Sequence, residues 1–312
     1  MLDPSDTVPA TPQRRLAVAP DATIADLLRD GSAPSFSFEF FPPKNDAGHA
    51  QLQLAIERLK PLRPDFVSVT YGANGSSRDR TQAAVRDIVA TTDVGVMGHL
   101  TCTGQTVDEL KEAIDAYGEI GIRHILAVRG DMPGGPSTPW EPVEGGLKNA
   151  TELVELVRSR GDFCVGVGAF PDVHPSGSAE LDAQLLVDKY NAGASFAITQ
   201  LFFTPRRYFE MVDRVRSRGC PIPVLAGLMP VTNIRQIDKF AELSGCSLPE
   251  AVVTRLQGVA DDAEAVRAVG VEIGVELGGE LLDGGVPGIH FFTQNHSRAT
   301  TDILTRLLAR SV

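Results

Sequence analysis

The sequence predicts a (β/α)8 barrel, an α/β fold in one domain, and three observations lead there. Eight strand-like apolar segments recur along the 312 residues, and amphipathic helical stretches separate them. The strands start at intervals of roughly 27 to 40 residues until the last, a spacing suited to one βα unit each. Polar residues gather at the C-terminal ends of most strands, where a barrel keeps its chemistry. A doubly wound sheet is the competitor, but it seldom needs eight even units and wants a glycine-rich turn directly after an early strand. Gly72-Ala73-Asn74-Gly75 has the wrong spacing for that turn and runs into polar residues.

Residues 1–22 are polar and proline-rich and read as a disordered or loosely attached tail, leaving 23–312 for the barrel. Ile24–Arg29 reads as a short helix. The predicted strands are the short apolar runs Ser35–Phe40, Phe66–Thr70, Gly95–Leu100, His124–Val128, Phe163–Ala169, Phe196–Leu201, Val224–Leu228 and Gly288–Phe292. Between them, apolar residues return at helical spacing over His49–Leu59, Thr106–Ile120, Asn149–Arg160, Ala179–Ala192 and Pro205–Arg218. The longer last interval holds two helical stretches, Pro249–Leu256 and Asp262–Leu282.

Composition narrows the function. Formal charge is -11, which disfavours nucleic acid as a partner while leaving room for a local cationic pocket. No apolar run reaches membrane-spanning length and no signal peptide opens the chain, so the expectation is a cytoplasmic protein without a membrane partner. The four cysteines, Cys102, Cys164, Cys220 and Cys246, lie far apart without metal-ligand spacing. In a reducing compartment they read as buried thiols.

The strand ends carry the candidates. Glu39 lies in Ser37-Phe38-Glu39-Phe40-Phe41-Pro42-Pro43, an acid in a run otherwise built for burial, with two prolines to stop the strand. An acid there costs free energy unless it is paired, hydrogen-bonded or protonated. Thr70, His99, Arg129-Gly130-Asp131, Phe170 through His174, Gln200 and His290 through His296 complete the ring. There is no metal-ligand cluster and no Gly-x-Ser-x-Gly elbow. Polar groups mixed with aromatics suit a flat heterocycle whose edges need hydrogen bonds, and a cofactor-assisted reaction.

Several ordered segments resemble the methylenetetrahydrofolate reductase family in its short bacterial form. They are Phe38 to Pro43, Phe66 to Gly72, His99-Leu100-Thr101-Cys102, Gly121-Ile122-Arg123-His124, Arg129-Gly130-Asp131 and Ile198-Thr199-Gln200, and the likeness runs from about Ser35 past Asn295. The resemblance implies a (β/α)8 barrel holding FAD. NADH or NADPH would reduce the flavin and leave, and 5,10-methylenetetrahydrofolate would then be reduced to 5-methyltetrahydrofolate for methionine synthesis. By the same resemblance Glu39 is the general acid, with a raised pKa if aromatics surround it. Asp131 lies near the flavin and the pterin, Gln200 bonds folate, and Phe240 stacks on substrate or nicotinamide. Gln236 sits one helical turn before Phe240, on the same face. His296 falls at the substrate mouth. The implied FAD contacts are Thr70, His99, Arg129, Gly130, Asp131, Phe170, His174, Asp182 and Lys189. Asp182 and Lys189 stand two helical turns apart and share a face.

The chain departs from better-studied bacterial members at several of these places. Phe170 and Phe292 stand for tyrosine, Leu185 for asparagine, Asp188 for arginine and His296 for arginine. Losing polar contacts and a positive charge near the FAD phosphates leaves open a flavin-free reductase passing hydride from NADH directly to folate. A flavin barrel acting on another small substrate is a second alternative, and a non-catalytic binding subunit a third. Retention of both Glu39 and Asp131 speaks against the last. The resemblance also implies a homo-oligomer, dimer or tetramer.

Overall fold

Ser35-Phe36-Ser37-Phe38-Glu39-Phe40 alternates polar and aromatic residues, yet all six are buried. A strand covered on both faces belongs inside a layered parallel sheet, and here the sheet closes on itself. The computed structural model describes residues 22–71, 78–135, 137–175 and 177–310. Eight parallel strands form a closed barrel in chain order: β1 (Ser35–Phe40), β2 (Phe66–Val69), β3 (Gly95–Thr101), β4 (His124–Val128), β5 (Cys164–Ala169), β6 (Phe196–Thr199), β7 (Val224–Leu228) and β8 (Gly288–Phe292). Each lies where the sequence placed it, with ends differing by no more than two residues. The stretch read as a tail falls outside the described residues apart from Ala22, as do Gly72 and Gly75.

Alternation sorts β1 into two environments. Phe36, Phe38 and Phe40 pack outward with Leu52, Ile56 and Leu59 of α2 (Asp46–Leu59) in the large core between barrel and helices. Ser35, Ser37 and Glu39 therefore face the lumen. Register sets Ser37 beside His290 of β8, and Glu39 beside Ser68 of β2. The lumen is apolar toward the strand N-termini, where Phe66, Met97, Leu126, Cys164, Phe196 and Leu225 meet. Above this layer it turns polar with Ser37, Ser68, His99, His290 and Glu39, all buried.

The short helix α1 (Ile24–Asp30) seals the N-terminal end of the barrel. Ile24, Ala25, Leu27 and Leu28 join the apolar layer, and the Ile24 amide donates to Nε2 of His124 at 3.2 Å. Thr23 and Asp26 form a capping box at its start, and Gly31 ends it with φ 59°. Around the barrel run α4 (Val107–Ile120), α5 (Ala150–Arg160), α6 (Ala179–Asn191), α7 (Pro205–Arg216), α9 (Glu250–Gln257) and α10 (Ala263–Asp283), close to the predicted helices. Two others, α3 (Arg78–Thr91) and α11 (Arg298–Arg310), were not legible as helices in the sequence, and α8 (Ile234–Ser244) was read only as the turn from Gln236 to Phe240. Among the described residues no helix is long and apolar enough to cross a membrane.

Candidate active site

Glu39 is 9% exposed and sits at the C-terminal end of β1, facing the lumen. Its Oε2 lies 3.7 Å from Nε2 of His99 and 3.7 Å from Nε2 of His290. The acid is thus flanked by two imidazoles, while Phe38 and Phe40 point to the other side of the strand. Its own carbonyl is held by the Thr293 hydroxyl at 2.6 Å. Burial pushes the His99 imidazole down to about 4, with the Glu39 charge opposing and His290 adding to the shift. His99 Nε2 has no hydrogen-bond partner among the described residues, while the His99 carbonyl accepts from the Tyr117 hydroxyl at 2.8 Å.

A second cluster follows β4 and reaches α6. Gly130 has φ 81° and leaves no room for a side chain, since an added Cβ would run into the Thr103 hydroxyl. That hydroxyl donates to the Arg129 carbonyl at 2.9 Å. The Arg129 guanidinium lies 5.1 Å above the ring of Trp140. Lys189 is half-buried, and its Nζ donates to the Gly168 carbonyl at 3.0 Å. Desolvation lowers its pKa to about 8 against the attraction of Asp182, and Arg129 lowers it further. Asp182 accepts from the His174 amide at 2.9 Å, and Phe170 meets the His174 ring edge-on at 4.8 Å. Burial and then Arg129 lower the His174 pKa, while Asp182 and Asp131 oppose them. Arg129, Asp131, His174, Asp182 and Lys189 thus share one electrostatic neighbourhood.

The remaining candidates spread along the opposite rim. Gln200 is exposed, and its Oε1 accepts from the Leu201 amide at 2.9 Å. Gln236 and Phe240 both lie on α8. The Gln236 side chain donates to Oε1 of Gln294, and Phe240 packs against the cluster that holds Leu201, Phe203 and Met229. His296 is exposed, its Nδ1 3.4 Å from Nε2 of Gln51. Thr70 is anchored through its carbonyl, which accepts from the Thr81 hydroxyl at 3.0 Å. At the departures, Leu185 is exposed and Asp188 accepts from Gln184 at 2.8 Å.

Sequence reasoning missed two residues of the acid's surroundings, Ser37 and Ser68, whereas His290 and Asn295 lay in the stretch read as part of the ring. Ser37 Oγ lies 2.7 Å from Nδ1 of His290, and Ser68 Oγ lies 3.3 Å from its Nε2. Asn295 clamps β1 to the β8 loop, accepting from the Phe41 amide at 2.9 Å and donating to its carbonyl at 3.0 Å. The clue for Ser37 was the strict alternation of Ser35–Phe40, which puts it on the face of Glu39. Among the described residues no cluster of His, Cys, Asp and Glu could hold a metal ion.

A parallel barrel with a buried acid and a cluster of paired cations and acids at its C-terminal mouth has the layout of a barrel enzyme. The methylenetetrahydrofolate reductase profile matches residues 23–308. The chain belongs to that family, and it is a folate-handling oxidoreductase of one-carbon metabolism. It is 39% identical to the 5,10-methylenetetrahydrofolate reductase of Escherichia coli over 88% of this chain and 90% of that one. It is 36% identical to methylenetetrahydrofolate reductase 1 of Schizosaccharomyces pombe, of which the match covers 46%. A solved Clostridium thermocellum protein, described as binding two copies of 5-methyl-5,6,7,8-tetrahydrofolic acid, shares the fold. Its TM-score is 0.63 at 15% identity, over 91% of this chain and 96% of that one.

Proposed function

We propose that this barrel reduces 5,10-methylenetetrahydrofolate to 5-methyltetrahydrofolate, with FAD held at the mouth and NADH or NADPH as electron donor. Donor and folate take turns in one pocket, a ping-pong exchange. The observation that carries the reading is Glu39: a lumen-facing acid at the C-terminal mouth, with imidazoles on two sides. The groups around Gly130 suit a flavin dinucleotide. Arg129 and Lys189 bring two positive charges to face a pyrophosphate, and buried Thr101 Oγ1 has no partner within the described residues.

When bound, the flavin supplies the hydride. The chain's residues do the rest. Glu39 gives its proton to the imidazolidine nitrogen that leaves, opening the ring to the reactive iminium. The Asp131 carboxylate stands beside the cation so formed and stabilises it. Gln200 hydrogen-bonds the folate, and Phe240 covers its ring with Gln236 alongside. His296 lies where the folate tail would pass. Assembly into a dimer or tetramer belongs to the same proposal, and sedimentation equilibrium tests it.

A second reading has a specific observation behind it. On α6, the exposed Leu185 and the Gln184-bound Asp188 add no cation to the phosphate side, as a flavin-free reductase using NADH would allow. One visible spectrum separates the two. Purified protein should absorb near ~450 nm, bleach with NADH or NADPH, and recover on adding methylenetetrahydrofolate. Colourless protein that reduces folate with NADH and takes up neither FAD nor FMN would establish the flavin-free route instead.

A further inference from the structure

The loop between β4 and α5 is braced more firmly than a bare connection needs. Gly146 pairs with Thr106 in an antiparallel bridge, and the Val107 amide donates to the Gly145 carbonyl at 2.9 Å. Gly146 fits there only without a side chain, since an added Cβ would meet the Gln105 carbonyl at 2.8 Å. Nearer β4, the Gly135 amide donates to the Met132 carbonyl at 2.9 Å, and the Thr138 amide to the Gly135 carbonyl at 3.1 Å. Between these braces stands Trp140, the single tryptophan of the chain, packed against the large core. The Arg129 guanidinium rests 5.1 Å above its ring.

Packing alone does not call for tryptophan at this place. The indole Nε1 is buried and has no acceptor among the described residues, so the loop bears the cost of an unmade hydrogen bond. Leucine or phenylalanine would fill space without that cost. What indole adds is the aromatic face that best seats a cation. Arg129 has little else to hold it. Its one side-chain hydrogen bond among the described residues is long, from Nε to the Gly130 carbonyl at 3.4 Å. We infer that Trp140 is a positioning residue, seating the Arg129 guanidinium so that its remaining N–H groups meet the phosphates of a dinucleotide. Its role rests on the flavin reading. An arginine loses rotamer freedom when it grips a ligand, and one already seated on a ring has lost it beforehand, which strengthens binding.

Flavin fluorescence titration of flavin-free protein tests this with Trp140→Leu, Trp140→Phe, Arg129→Ala and the Trp140→Leu/Arg129→Ala double variant. Trp140→Leu should weaken FAD binding about tenfold, and Trp140→Phe, which keeps an aromatic face, by no more than about threefold. In the Arg129→Ala background Trp140→Leu should cost little more, because the ring acts through that guanidinium. A loop that had merely lost a packing residue would lose as much in either background. The lone tryptophan also reports the contact without a ligand: Arg129→Ala should shift its emission, and Arg129→Lys should shift it less. Full additivity in the double variant would overturn the inference, as would FAD affinity untouched by Trp140→Leu. Unshifted emission in Arg129→Ala would overturn it too, even if Trp140→Leu does not fold. Parent protein that takes up neither FAD nor FMN would instead remove the flavin reading, and the emission would still decide whether the ring seats the guanidinium.

Discussion

At the scale of single residues, Glu39 separates what sequence can convey from what it cannot. Its place at the end of a buried strand was visible in the run Ser37 to Pro43. Its neighbours were not. The adjacent phenylalanines suggested an aromatic pocket, but strand alternation sends them outward and brings His99 and His290 to the carboxyl instead. His290 is 251 positions along the chain from Glu39 (290 − 39), so only barrel closure joins them. The proposed role predicts that Glu39→Gln slows folate reduction by roughly a hundredfold or more, the usual worth of a positioned acid. Reduction of the flavin by NAD(P)H should fall far less, because that step needs no proton from Glu39. Stopped-flow absorbance resolves the two half-reactions, and equal losses in both would remove Glu39 from its role.

At the scale of elements, the strands were legible because each is a short apolar run, and burial on both faces makes such runs nearly continuous. The helices α3 and α8 were harder. Arg78-Asp79-Arg80 opens α3 with charges, and α8 packs its apolar side on a small cluster at the rim. Helix α6 was read from sequence, and its Asp182 and Lys189 do share one neighbourhood. This helix carries a further prediction. Lys189 has its pKa lowered from 10.5 to about 8, so its charge opposes folding at neutral pH, and the penalty fades as pH rises through that interval. Lys189→Met should therefore raise the melting temperature of flavin-free protein at pH 7. The same change should weaken FAD binding by roughly tenfold, the loss of one charge-assisted contact. Calorimetry and flavin fluorescence titration measure the two effects, and a matching fall in both would contradict the assignment.

At the scale of the whole molecule, two neutral imidazoles brace opposite ends of one barrel. His99 stands at the mouth and His124 at the base, and burial moves each from 6.5 to about 4. Below pH 6.5 the unfolded chain takes up these protons and the folded chain does not. Stability is therefore intact near pH 7, falls as pH drops toward 4, and levels off once both states are protonated. Each histidine withdraws about 3 kcal/mol across that window, a large share of a typical domain's stability. Urea unfolding at pH 7, 6 and 5 should follow this decline. His124→Gln keeps an acceptor for the Ile24 amide and should remove one proton's share of the slope. An unchanged slope would show that His124 is not one of the groups responsible.

The helix sealing the base also bears on the order in which the molecule is assembled. During synthesis α1 emerges before every strand of the barrel, yet the surface it rests on is contributed by strands from β2 to β7, ending with Leu225. Seven residues are too few to hold a helix in water alone, so the segment gains its shape only after most of the barrel exists. Its apolar face must wait through that interval, and loop closure over such a span is slow. The first of the described helices to be made is thus among the last parts seated, a keystone set from below after the staves have met.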